Sequence, residues 1–228
     1  VRTPLLDDVR PSVRDVVTRA GERLAADGAQ LEDVNLPRLA DAALSVAGVL
    51  TELQAALLPL AIEHPEGLAH PEIRYRILAA EFFAAGDARR ARQLAARIRA
   101  EVAAAFDRTD VLLPPTNTTT AFPIDATEVV VGEGVAVDLR RPGGQARITT
   151  RLTLPFNVAG VPAISVPAAS LVDGLPVGIQ LVAPPVAGVA PAARGRPAHG
   201  SPRGRPARLP AAIGGRRRLT GPSAVFGL

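Results

Sequence analysis

Apolar positions recur at three- and four-residue steps through the first half of the chain, and in short runs or alternation through the second. Val13, Val16, Val17, Ala20 and Leu24 fall on one helical face and predict a helix over residues 9–27, with Pro11 confined to its first turn and Gly28 as its stop. A short strand over 30–34 follows, closed by Pro37. A second helical pattern covers about 38–58, with Gly48 as a local weakness and Pro59 as its end. Residues 63–74 read as a loop in which Pro71 opens a third helix holding Ile73, Ile77, Leu78 and Phe82. Asp87 is placed to cap a fourth. Its apolar stripe is Leu94, Ile98, Val102 and Phe106, and Arg90, Arg92, Arg97, Arg99 and Glu101 supply much of its polar surface.

Beyond Asp107 the period changes. "DVLLPP" (110–115) is a short apolar strand that ends abruptly, followed by the polar loop "TNTTTAFPID". Residues 128–139 alternate around β-branched side chains and are interrupted by "GEG" at 132–134, which predicts a hairpin. Residues 149–158 predict a short helix or an irregular buried segment. Strands are expected over 163–166 and 177–182, separated by a turn around "VDGLP". Helices outside and short apolar strands inside predict an α/β layered fold.

Composition narrows the chemistry. The 228 residues are 47% hydrophobic and suffice for a sizeable core. Cysteine is absent, which excludes disulfides, a thiol nucleophile and a thiolate metal site. His64, His70 and His199 have no paired ligand spacing, so no metal and no cofactor are expected. No uninterrupted apolar run approaches the roughly 20 residues of a membrane span, and no secretion-signal pattern opens the chain. The expectation is a cytoplasmic protein with no membrane partner.

All 26 basic residues are arginine. Up to Ala187 there are 18 of them against 22 acidic residues, a net charge of −4; from Gly188 to Leu228 there are 8 and no acid, a net charge of +8. The basic character therefore belongs to the tail, and the body gives no reason to expect a specific nucleic-acid partner. The tail is Gly, Pro, Ala and Arg with few large apolar side chains, a composition that cannot offset its ordering entropy by burial. The chain accordingly divides into a folded portion, 1–187, and a tail, 188–228. The tail is expected to be disordered, or translated in another reading frame of GC-rich DNA.

The most informative region is 154–182. Pro155 and Pro162 break regular ladder bonding, Gly160 permits a left-handed turn, and Asn157 carries the donors and acceptor to hold one. Gln180 brings an amide into an otherwise apolar strand. On these residues alone the reading is structural: a specified turn between core elements, with the threonines after Pro115 as ordinary loop caps.

Taken together, "DVLLPPT" (110–116), "PFNVAGVPAISVP" (155–167) and "GLPVGIQLVAPP" (174–185) resemble the carboxyl-terminal half of the amidase signature family. The resemblance covers about residues 9–185, weakly in the helices and strongly from Asp110 onward. It implies an α/β/α fold with a mixed central sheet, of which this chain holds only the carboxyl-terminal portion. It also implies cleavage of an amide carbon–nitrogen bond in a small-molecule substrate, by a serine nucleophile, a bridging serine and a lysine base. Alternatively, the chain is part of the glutaminase component of a tRNA-dependent amidotransferase. A non-enzymatic reading, in which the four helices form an interaction module, stands beside these.

By the same resemblance Pro114, Pro115, Thr116 and Asn117 border the substrate cleft, and Asn157, Gly160, Pro162, Ser165 and Gln180 support it. No catalytic residue is assigned. The chain has no Gly/Ser-rich signature run and no lysine, and a serine needs an adjacent base to become an effective nucleophile. The chain alone is therefore expected to be inactive, with a separate amino-terminal half as its expected partner.

Overall fold

The computed structural model describes residues 1, 3–64, 71–141, 143–185 and 225–227; for 71–73 and 225–227 only the backbone is described. Most of the expected loop around residue 67, and tail residues 186–224 and 228, lie outside the described residues.

Residues Pro4–Asp8 form a 3-10 turn whose Leu5 is buried, and helix α1 follows at Pro11–Ala26. Pro11 occupies the first turn, where its missing N–H is no loss. Val13, Val16 and Val17 are buried, and Ala20 and Leu24 pack beside Val17, as the periodicity requires. Strand β1 is Gln30–Glu32.

The second helical stretch differs from its expected form. It begins as a 3-10 helix, Pro37–Ser45, and continues as α2, Val46–Glu63. The buried residues of the first part, Leu39, Ala42 and Ser45, stand three apart. That spacing suits three residues per turn rather than 3.6. Pro59 does not end the helix. It forfeits one bond to the carbonyl of Ala55, and both residues lie on an exposed part of the helix. Gly48 is a point of close approach instead of a weakness: a Cβ there would stand 3.3 Å from the Cβ of Ala91 on helix α4, Ala85–Ala105. The expectation that no stretch could span a membrane also needs correcting, because the 27 residues Pro37–Glu63 are long and apolar enough by length and composition.

Helix α3 is Pro71–Ala79, extended by a 3-10 turn through Phe82. In α4, Ile98 and Val102 are fully buried and Leu94 and Phe106 pack against the same core. Asp87 caps from the third helical position, accepting a bond from the backbone N–H of Ala84 at 3.0 Å.

The central sheet has five strands in the order β1-β7-β2-β6-β5, where β2 is Val111–Leu112, β5 Ala163–Val172, β6 Leu175–Val182 and β7 Val225–Gly227. β7 runs parallel to β1 and β2, while β6 is antiparallel to β2 and to β5. The sheet is thus mixed, and helices flank it. Three tail residues form its β7, a strand the composition of 188–228 did not suggest. Leu112 joins the cluster of Ile98, Val102 and Phe156, while its neighbour Leu113 joins Val17 and Ile179. Adjacent strand residues point to opposite faces, so apolar partners lie on both sides.

A second, two-stranded sheet is the expected hairpin, β3 Glu128–Val131 and β4 Val135–Asp138. It closes a small core of Val129, Val131, Val137, Leu139 and Ile148. Of the two forms expected at 149–158, a short helix or an irregular buried segment, the helix is found as α6, Leu154–Ala159, and a further short helix, α5, Gly144–Thr149, precedes it.

Candidate functional site

Strand β2 leads directly into Pro114, Pro115 and Thr116, which continue alongside β6 as an isolated antiparallel bridge, Pro115 opposite Ile179. Such a bridge takes its bonds from the flanking residues. The N–H of Gln180 donates to the carbonyl of Pro114 at 2.8 Å, and the N–H of Thr116 donates to the carbonyl of Gly178 at 2.9 Å. Pro115 sits at the non-hydrogen-bonded position and needs no N–H there, whereas Pro114, opposite Gln180, keeps the bond to its carbonyl and forgoes the return bond that an N–H would make. Both prolines are buried and form the floor.

Gln180 locks that floor. It is 3% exposed, and its Nε2 donates to the carbonyls of Pro115 and Leu152, each at 3.0 Å. One amide thus joins the segment after β2 to the link between α5 and α6 and leaves neither carbonyl orphaned.

Above Gly178 the side chains of Thr116 and Ser165 meet, with Oγ1 and Oγ 2.6 Å apart. A Cβ on Gly178 would stand 2.8 Å from Ser165 Oγ and 2.9 Å from Thr116 Oγ1, so the hydroxyls can join across β6 only because that residue has no side chain. Asn117 is exposed. Its amide nitrogen, placed by the carbonyls it faces, donates to Thr116 O at 3.2 Å and Thr149 O at 3.1 Å. Thr118, Thr119 and Thr120 turn inward and are buried. The carbonyl of Thr118 accepts from the N–H of Arg10 at 2.8 Å, tying the loop to the start of α1. Asn117, Thr119, Thr149, Pro176 and Gly178 line an open concavity of about 360 Å³.

The structure brings Thr116, Asn117, Ser165 and Gln180 together and separates the rest of the expected set. Asn157 is exposed and its side chain bonds to no described residue, so it does not brace the cleft as expected. Its carbonyl matters instead. Gly160 ends α6 in the left-handed region (φ 71°, ψ 35°). Its N–H reaches the Asn157 carbonyl at 3.1 Å, and the N–H of Val161 reaches the Phe156 carbonyl at 3.3 Å. These are the two bonds of a Schellman cap, completed by the packing of Val161 and Phe156 in one core cluster. Pro162 follows where no helix can continue, and its carbonyl accepts from Ala183 at 3.0 Å. Arg99 Nε donates to the Ala159 carbonyl at 3.2 Å, a cation at the carbonyl end of α6.

Sequence reasoning missed the Thr116–Ser165 pair. The signal for it in the sequence is Gly178, a glycine inside the apolar strand 177–182. Chemically the concavity offers hydroxyls, an amide and backbone groups. Among the described residues no group of three or more His, Asp or Glu could hold a metal ion. The Thr116 and Ser165 hydroxyls bond to each other rather than to a base.

A sequence model of the amidase family matches residues 1–189. The chain belongs to the amidase family. A curated relative, the A subunit of glutamyl-tRNA(Gln) amidotransferase from Prochlorococcus marinus (strain MIT 9303), is 35% identical over 196 residues, covering 75% of this chain and 38% of its own length. A solved amidase is 30% identical with a TM-score of 0.66, over 80% of this chain and 41% of that one. The solved structure of the corresponding amidotransferase component from Thermotoga maritima is 25% identical with a TM-score of 0.50, over 80% of this chain and 37% of that one. The chain therefore spans about two fifths of the length of these amidase-family relatives, and its mixed sheet flanked by helices is the corresponding part of the amidase fold.

Proposed function

We propose that this chain is the carboxyl-terminal, substrate-lining part of an amidase-family protein that cleaves an amide carbon–nitrogen bond, with the glutamine side-chain amide as substrate. The observation that carries the reading is the open concavity after β2. Asn117, Thr119, Thr149 and Gly178 line it; Gln180 fixes the segment that leads into it, and the Thr116–Ser165 pair stands over Gly178. A loop at the end of a sheet strand is a usual place for a ligand. Hydroxyls and an amide held on a rigid floor can orient a carboxamide by hydrogen bonds to its oxygen and nitrogen. They cannot activate a nucleophile, so the attacking serine and its base come from the rest of the amidase domain. The glutamyl-tRNA(Gln) amidotransferase components among the sequence relatives support glutamine as the amide. The 30% identical amidase supports a second reading, hydrolysis of a small amide unconnected with tRNA.

The test is ammonia release from glutamine and from simple acyl amides. The chain is assayed alone and together with the amino-terminal part of the Prochlorococcus relative that it does not cover. Glutamine-dependent release on mixing, and none from the chain alone, is the expected result. Release from acyl amides but not from glutamine selects the second reading. Activity of the chain by itself overturns the division of labour.

A further inference from the structure

Three elements around the concavity meet at one short segment, residues 8–10. The carbonyl of Asp8 accepts from the N–H of Gly132 at 2.8 Å, which fixes its backbone on the turn of the β3–β4 hairpin. Two residues on, the N–H of Arg10 donates to the carbonyl of Thr118 at 2.8 Å. The neighbours of Thr118, namely Asn117, Thr119 and Thr120, line the concavity, and so do Ile148 and Thr149 of α5. The third element, α5, is reached through the Asp8 side chain. Its Oδ2 stands 2.7 Å from Arg151 Nη2 and 3.8 Å from Arg147 Nη2. Arg147 lies in the last turn of α5 and Arg151 two residues beyond it.

This ion pair differs from its neighbours. Arg10 pairs with Asp173 and Arg14 with Glu133, but both acids are largely exposed, and such pairs contribute little. The side chains of Asp8 and Arg151 are only 17% and 28% exposed. Asp8 Oδ2 and Arg151 Nε are shielded from solvent, and neither makes a hydrogen bond to a described residue. Neutralising Asp8 would therefore leave the Arg151 guanidinium half-buried without its carboxylate. The pair also sits between two neutral ties of the same link. The Thr149 carbonyl accepts from the Asn117 amide at 3.1 Å, and the Leu152 carbonyl accepts from Gln180 at 3.0 Å.

We propose that Asp8 is a positioning residue of the concavity. Through Arg151, and more weakly Arg147, its carboxylate holds the end of α5 so that Thr149 faces Asn117 and the amide substrate meets a preformed wall. This rests on the proposed function for the substrate. Asp8 does not itself line the concavity, so its influence falls on substrate binding and not on the bond-breaking step. The start of α5 has its own anchor, since Gly144 lies too close to the Asp138 carbonyl for any Cβ to fit. The end of the helix, which carries Thr149, is the part left for Asp8 to hold.

Asp8→Asn keeps the size of the side chain and the backbone carbonyl that Gly132 uses, and removes the charge. In the whole chain alone, NMR should show the contact between the Asn117 side-chain amide and Thr149, and Asp8→Asn should weaken or remove it. In the mixture with the uncovered amino-terminal part of the Prochlorococcus relative, Asp8→Asn should raise the KM for glutamine about fivefold and change kcat less than about twofold. Arg151→Gln should do the same, and Arg151→Lys should keep most of the native KM. Combining Asp8→Asn with Arg151→Gln should add little to either single change. Glu133→Gln, which removes an exposed carboxylate, should leave both readings as they are. Should Asp8→Asn fail to fold, the two Arg151 variants carry the same test from the other side of the pair. A contact that survives Asp8→Asn, or a KM that does not move, would overturn the assignment. A loss confined to kcat would overturn it too, by placing the effect on the chemical step. Absence of ammonia release from the native mixture would count against the proposed function, and the contact in the chain alone would still decide whether Asp8 holds α5.

Discussion

Replacing Gln180 by leucine keeps the approximate volume of the side chain and removes both of its donors. The carbonyls of Pro115 and Leu152 then stay buried without their partner, at a cost of about 2–4 kcal/mol in total. Urea denaturation of Gln180→Leu should show that loss as a lower midpoint with an unchanged slope. Gly178 makes a different demand, since a methyl group there would meet Ser165 Oγ at 2.8 Å and Thr116 Oγ1 at 2.9 Å. Gly178→Ala should cost about 1–3 kcal/mol through overpacking. If the serine oxygen is the obstacle, adding Ser165→Ala recovers part of the loss. Strict additivity in that double-mutant cycle would show that the two side chains do not share the space over β6. Gln180 was legible in the sequence because an amide inside an apolar strand needs a reason. The hydroxyl pair was not, because Thr116 and Ser165 lie 49 residues apart and only the register of three strands brings them together.

Elements with one strong local signal formed where the pattern put them. Helix α1 has Pro11 and Gly28 at its ends and valines on one face, and the hairpin 128–138 alternates cleanly. Where two signals compete, the sequence misled. Pro59 argued for a stop, but on an exposed stretch the helix runs on through it and gives up one backbone bond. The 3-10 geometry of Pro37–Ser45 is set by a three-residue burial spacing that a helical pattern of mixed period conceals. Asn157 looked like the brace of a turn, yet the cap of α6 is built from backbone groups and needs only Gly160. The hairpin also carries a charge device. Asp138 accepts from Arg140 Nε at 3.0 Å, Nη2 at 3.1 Å and the backbone N–H at 3.0 Å. The side-chain bond, then the backbone bond, hold its carboxyl at about 2, below the ordinary 3.8. A lowered carboxyl stabilises the fold above its ordinary value and loses that contribution as pH falls toward its folded value. The Asp138 contribution should thus fade between about pH 4 and pH 2. Following its carboxyl carbon by NMR should give a midpoint near 2, and Arg140→Ala should move that midpoint up toward 3.8. A midpoint unaffected by that change would show that the arginine is not its cause.

At the scale of the whole molecule, the distribution of exposed apolar surface matters more than the net charge. The charge of +4 is the sum of a mildly acidic body and a basic tail, and it says little about how the described surface behaves. Leu44, Val49, Leu60 and Ile62 stand more than half exposed on the Pro37–Glu63 stretch, and Tyr75, Leu78 and Phe82 do so or nearly so on α3 and its extension. Arg74, Tyr75, Leu78, Ala79, Phe82 and Phe83 surround an open hollow of about 480 Å³. Contiguous apolar surface of this kind marks contact sites or a tendency to associate. Phe82 tests it best because, at 88% exposure, it contributes little to the chain's own core. Phe82→Asp should change stability by no more than about 0.5 kcal/mol. It should also raise the concentration at which the chain begins to associate, measured by light scattering at fixed salt. Stability is the control: a large loss would mean that Phe82 packs more tightly than its exposure shows. Unchanged stability with unchanged association would mean that the α2–α3 surface is not what draws copies together. In that case Ile164 and Leu171, at 51% and 61% exposure on β5, become the next positions to substitute, since among the described side chains of the central sheet they are the large apolar ones that stand more than half exposed.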